Sequence, residues 1–145
     1  MSVRVQAEDF DMAHELAGFG GSSAGAIVTF TGIVRDTKAA DLQAMEIEHY
    51  PAMTQSALEA IEADARRRWS LDDCLIVHRF GRLRPAERIM MVATASAHRA
   101  DAFAAAEFLM DYLKSRAPFW KKEITRDGEV WVESKAADET ALERW

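Results

Sequence analysis

The chain has 145 residues, a length that fits one domain with a sizeable core. Its net charge of −6 argues against a general nucleic-acid binder, which carries a basic footprint. The single cysteine, Cys74, excludes an intrachain disulfide framework and a zinc site built on paired cysteines.

Residues 1–10 lack the apolar core of a secretory signal. The longest apolar stretch, residues 24–34, is too short to span a bilayer and contains Thr29 and Thr31. A cytoplasmic protein is expected. Cys74 begins the apolar run Cys74-Leu75-Ile76-Val77, where a free thiol packs as a small hydrophobe. Any sulfur chemistry here therefore draws its sulfur from outside the chain.

Taken in order, residues 3–6 alternate and predict a short strand. Residues 8–17 predict a helix with Phe10, Ala13, Leu16 and Ala17 on one face, stopped at Gly18. Residues 26–34, β-branched and aromatic, predict a strand. Residues 42–50 predict a half-buried one, with Met45, Ile47 and His49 alternating against Glu46, Glu48 and Tyr50. The polar residues 36–41 between them suggest a hairpin with an irregular loop. Pro51 suits the first turn of a helix whose Met53, Ala57, Leu58, Ile61 and Ala65 share a face. Residues 75–80 and 88–95 predict strands around a turn at 81–87. A long helix over 99–116 turns Ala102, Phe103, Ala106, Leu109, Met110 and Leu113 to the core and ends before Pro118. Residues 119–125 and 129–132 flank Arg126-Asp127-Gly128, a hairpin signal. The order predicts an α+β fold with a largely antiparallel sheet and packed helices, one domain over 1–145. The acidic residues 134–145 are expected to form a flexible tail.

Among the segments with chemical potential, the first is KSRAPFWKK, residues 114–122, where Lys114, Arg116, Lys121 and Lys122 stand without an acid. Pro118 turns the chain back after the helix and brings Lys114 and Lys121 toward one place. Cations so grouped bind phosphate and carboxylate, and a partly desolvated lysine becomes neutral enough for nucleophilic or acid–base work. A helix end decorated with solvated cations is the competing reading. The second is Ser96-Ala97-His98-Arg99, where a strand meets a helix N-terminus and free N–H groups attract anions. The competing reading there is a surface pair. The third is Thr31-Gly32-Ile33-Val34-Arg35, with Arg35 projecting from a strand end. No metal-ligand spacing links the four histidines. His98 and Lys114 are sixteen residues apart, so on one unbroken helix about 24 Å separates them. If both serve one ligand, the site is shared between two copies in a two-fold dimer.

GAIVTFTGIVR (residues 25–35), EHYPAMT (48–54), VHRFGRL (77–83), SAHRADAF (96–103) and MDYLKSRAPFWKKE (110–123) occur in unbroken order. Together they resemble the large, catalytic subunit family of molybdopterin synthase. The resemblance implies an α/β-hammerhead-like fold and a homodimer within a heterotetramer. It implies a small ubiquitin-like sulfur-carrier subunit, whose C-terminal Gly-Gly thiocarboxylate enters the active site. It implies two sulfur transfers onto cyclic pyranopterin monophosphate, giving molybdopterin without a metal or cofactor. By motif, Lys114 and Lys121 resemble catalytic lysines, Lys114 near the thiocarboxylate and Lys121 assisting proton transfer and opening of the cyclic phosphate. Arg35, His98, Arg99 and Lys122 resemble substrate-pocket positions, with the backbone of Ile33 and Val34 and Glu123 beside them. The loop at 36–41 lacks the Asn and Gly that relatives often carry. Two other readings stand beside this one: a Schiff-base lyase, and a non-catalytic module that binds a carrier protein or phospholigand.

Overall fold

The computed structural model describes residues 2–133 and 136–145. Strands β1 (Val3–Gln6), β2 (Ala26–Ile33), β4 (Asp73–Arg79) and β6 (Arg88–Ser96) form one sheet in the order β1-β4-β6-β2. Strands β3 (Leu42–His49), β5 (Gly81–Leu83), β7 (Phe119–Thr125) and β8 (Gly128–Trp131) form a second in the order β5-β3-β7-β8. Among the described strands only β1 and β4 pair in parallel. The expected α+β class and antiparallel character hold, distributed over two sheets.

The two central strands of the first sheet, β4 and β6, are apolar because both their faces are covered. Along β6, Met90 and Val92 join Ile76, Leu58, Phe108 and Leu109 in the main core. Met91 and Ala93 face the other way, onto Leu75, Val77, Phe10, Leu16 and Phe19. A strand buried on both sides reads as a continuous apolar run. The N-terminal segment thus caps one face. Its helix α1 (Met12–Leu16) is shorter than the predicted one because Asp11 caps it, accepting from the N–H of Ala13 and His14.

The expected β2–β3 hairpin is not formed. β2 pairs instead with β6, Ala26 opposite Ser96, while β3 pairs with β5 and β7. A buried central strand leaves no water for an unpaired edge, so β6 requires a long partner, and β2 supplies it. Residues 34–41 then carry the chain across to the second sheet. Gly81, at φ +96, makes the sharp entry into β5, a short strand inside what reads as a turn.

Helices α2 (Pro51–Arg68) and α3 (Arg99–Ser115) pack on the first sheet. In α2 the buried stripe is Thr54, Leu58, Ile61 and Ala65, whereas Met53, expected inside, is 60% exposed. Thr54 takes the inner position because its hydroxyl is satisfied there. It donates to the Tyr50 carbonyl at 2.7 Å and accepts from His49 Nδ1 at 3.0 Å. In α3 the buried residues are Ala102, Ala105, Ala106, Phe108 and Leu109, and Phe103, also expected inside, is 61% exposed. The alanines bring α3 close enough to β6 for Thr94 Oγ1 to donate to the Ala102 carbonyl at 2.7 Å.

The expected flexible tail, residues 134–145, includes Ser134 and Lys135, which lie outside the described residues. Beyond them come α4 (Ala136–Ala141) and a 3₁₀ turn (Leu142–Arg144). Arg144 bridges Glu107 and Asp111 of α3 at 2.6 and 2.8 Å. The Trp145 indole donates to Asp111 and packs edge-on against Trp69 and Phe108. No described helix is long and apolar enough to cross a membrane.

Candidate active site

Where the end of α3 meets β7, a cavity of about 840 Å³ opens between the two sheets. Lys114, in the last turn of α3, lines it with Met110 and Leu113. The chain turns at Pro118 and enters β7, whose alternation puts Phe119, Lys121 and Glu123 on one face. Lys121 and Glu123 line the cavity. The end of β2 and the following loop supply Thr31, Ile33, Arg35, Asp36 and Lys38. The bend after the long helix thus gathers both motif lysines and Arg35 around one space.

The loop behind Arg35 is held by its own side chains. Asp36 Oδ1 accepts from the N–H of Thr37 at 2.7 Å and of Leu42 at 3.0 Å. Thr37 Oγ1 donates to Asp41, and Ala40 stands in the left-handed region at φ +55. Asx and threonine turns therefore shape the loop without a glycine.

Electrostatically, Lys121 is set apart. Burial first, then the nearby Lys114 cation, push its pKa down from 10.5 to about 8, with Asp138 partly opposing. Cys74 has the opposite fate. Burial, with Glu62 next, pushes its thiol up to about 12, and the side chain is 1% exposed. It is an inert core residue.

Other residues singled out by motif lie outside this cavity within one chain. Lys122 points to the opposite face of β7, where it meets Glu129 at 3.1 Å and lies 5.3 Å over the Trp131 ring. Val34 is buried, and its backbone N–H and C=O are both engaged, with Glu87 and Ala86. His98 is the exposed N-cap of α3 and Arg99 its first residue. Since α3 runs unbroken to Ser115, the separation of about 24 Å from Lys114 stands. Gly25 braces this corner. Its N–H donates to the Ser96 carbonyl at 2.9 Å, and a Cβ there would lie 2.3 Å from the Ala97 carbonyl oxygen.

One cavity residue escapes sequence reading. His78, on β4, lines the cavity and is 5% exposed. In sequence it is only a histidine within a strand, with a signal no different from a packed core residue.

The family model for the MoaE protein matches residues 5–116. The chain belongs to the MoaE family. It is 65% identical over 147 residues to the molybdopterin synthase catalytic subunit of Cereibacter sphaeroides, covering all of both chains. Among solved structures it is similar to the molybdopterin biosynthesis MoaE protein from Burkholderia ambifaria. That match has a TM-score of 0.85 at 52% identity and covers 99% of this chain and 97% of that one. A protein–protein complex of subunits 1 and 2 of molybdopterin-converting factor from Helicobacter pylori shares the fold. Its TM-score is 0.76 at 17% identity, over 93% of this chain and 92% of that one. The cavity is where the segment bearing Lys114 and Lys121 and the strand end bearing Arg35 converge, and Lys114 and Arg35 fall within the matched residues.

Proposed function

We propose that this chain is the catalytic subunit of a molybdopterin synthase, a sulfurtransferase of molybdenum cofactor biosynthesis. Sulfur passes from the C-terminal thiocarboxylate of a small ubiquitin-like carrier subunit to cyclic pyranopterin monophosphate, which becomes molybdopterin. The observation that carries this reading is the convergence of Lys114, Lys121 and Arg35 on one cavity.

Each group has a task that its position supports. The Arg35 guanidinium and the lysine ammoniums attract the substrate phosphate and the incoming thiocarboxylate. They also stabilise negative charge developing as the cyclic phosphate opens. With its pKa near 8, roughly a tenth of Lys121 is neutral at pH 7, so the residue both gives and takes a proton there. Lys114 stands nearer the thiocarboxylate, and its positive charge keeps the Lys121 pKa low. Ile33 and Glu123 complete the substrate pocket. Cys74, buried and protonated, leaves sulfur delivery to the carrier.

His98, Arg99 and Lys122 belong to the same reading through assembly. If His98 and Arg99 serve the same ligand as Lys114, a second copy of the chain in a two-fold dimer contributes them, since their distance along α3 keeps them from the cavity of their own chain. Lys122, turned to the far face of β7, is left to contacts with the second copy or the carrier, and Val34, its backbone groups engaged, only shapes the wall behind Ile33. The carrier's extended tail enters by the open side, and one carrier on each copy gives a heterotetramer. The activity is assigned to the cytoplasm, and residues 1–145 act as one domain.

The experiment is reconstitution from purified chain, thiocarboxylated carrier and cyclic pyranopterin monophosphate. The reading predicts dithiolene product and loss of carrier sulfur. Tight carrier binding without turnover would favour a binding module, and borohydride trapping of a carbonyl substrate on a lysine would favour a lyase.

A further inference from the structure

His78 has no task in the scheme above, yet its surroundings are those of a built site. It follows Cys74 and Ile76 on the face of β4 that looks into the main core. Its ring stacks on Phe119 with centroids 3.7 Å apart and planes 14° apart, which closes one face and fixes the ring's orientation. Nδ1 lies 2.8 Å from the Arg79 carbonyl oxygen. A carbonyl only accepts, so Nδ1 carries the hydrogen and Nε2 the lone pair. Among the described residues Nε2 has no hydrogen-bond partner, and the side chain lines the cavity that Lys114 and Lys121 also line.

We propose that His78 is a substrate-binding residue of this cavity, its Nε2 serving as a fixed, uncharged acceptor for an N–H or O–H donor of the bound pterin. The proposal rests on the sulfur-transfer reading and adds a specificity determinant to it. Arg35 and the lysines recognise a phosphate on any ester. An acceptor held in place in the cavity wall discriminates further, because a ligand without a matching donor leaves it buried and unpaired.

The groups around His78 keep it in that state. Burial acts first, then Lys121 from β7, His49 from β3 and Lys114 from α3, against the opposing bond to the Arg79 carbonyl. Together they push the imidazole down to about 3. It is thus a neutral acceptor near pH 7. A carboxylate in its place would accept equally well but would draw Lys121 back toward full protonation.

Two measurements test the proposal. In the first, ¹⁵N-labelled chain is titrated with cyclic pyranopterin monophosphate. The His78 Nε2 resonance is expected to start at an unprotonated position and to move as the pterin saturates. A resonance unmoved at saturation overturns the proposal, and this readout needs neither turnover nor a variant. In the second, His78→Phe keeps the ring and its stacking but removes the acceptor. Its KM for the pterin is expected to rise about tenfold or more, the size of one lost buried hydrogen bond, with kcat nearly unchanged. His78→Gln, which retains a neutral acceptor, is expected to recover part of that loss. Unchanged KM in folded His78→Phe overturns the proposal. Failure of the unaltered enzyme to make product at all would instead sink the sulfur-transfer reading.

Discussion

At Lys121, reactivity follows from placement. Its amine stands on a strand that faces a cavity, next to another cation, and both conditions lower its affinity for a proton. Any step that needs the neutral amine should therefore speed up about tenfold per pH unit up to about 8 and level off above it. Single-turnover rates between pH 6 and 9 measure this, and a flat profile would remove Lys121 as the proton carrier. The same shift acts on stability with a definite sign. Between about 8 and 10.5 the unfolded chain holds a proton that the folded chain has released, so folding stability from this group rises with pH across that window. Lys114→Ala and Lys121→Ala are each expected to lose about 10²-fold or more in product formation. They should differ in how much half-sulfurated intermediate accumulates, and full activity in both would reject both roles. Cys74→Ala, by contrast, is expected to leave turnover within about twofold, because a buried thiol at a pKa near 12 carries no sulfur. At this scale the lysines were legible, since a proline between clustered cations is a local signal. His78 was not, because its neighbours Phe119, Lys114 and Lys121 come from distant stretches of chain.

Elements show where local pattern suffices and where it fails. The alanine-rich stripe of α3 and the apolar run of β6 are written in consecutive residues, and the structure places both elements within a residue or so of expectation. Pairing is different. Whether β2 joins β3 or β6 depends on which strand would otherwise be left with an unpaired buried edge, and no window of sequence contains that comparison. The exposed Phe103 and Met53 show the same limit. Each sits beside the buried stripe, and helical spacing alone cannot tell the stripe from its neighbour. Two substitutions probe the elements directly. Phe108→Ala empties the contact among α3, Trp69 and Trp145, and is expected to cost about 3–5 kcal/mol in urea unfolding. Gly25→Ala drives a Cβ into the Ala97 carbonyl, and is expected to cost about 1–3 kcal/mol while disturbing the approach to His98. A Gly25→Ala protein as stable as the original would mean that this corner yields freely.

For the whole molecule, the fold divides the work. The first sheet, covered by α2 and α3 on one face and by the N-terminal segment on the other, supplies stability. The second sheet lends β7 and its lysine to the space between the sheets. The C-terminal helix and Trp145 tie down α3, the helix whose two ends carry Lys114 and the His98–Arg99 pair. That the two ends cannot meet within one chain was legible from spacing alone, because a helix has a fixed rise per residue. For His98 and Arg99 to serve the same ligand as Lys114, as proposed, the cavity must be completed by a second copy. Subunit complementation in the reconstituted assay decides this, with Lys121→Ala and Arg99→Ala chains prepared separately and then co-assembled. Little product is expected from either variant alone, and about a quarter of the unaltered rate from an equimolar random mixture. Half of the dimers are then mixed, and each mixed dimer has one intact site of two. A mixture no more active than its separate components would contradict the shared cavity.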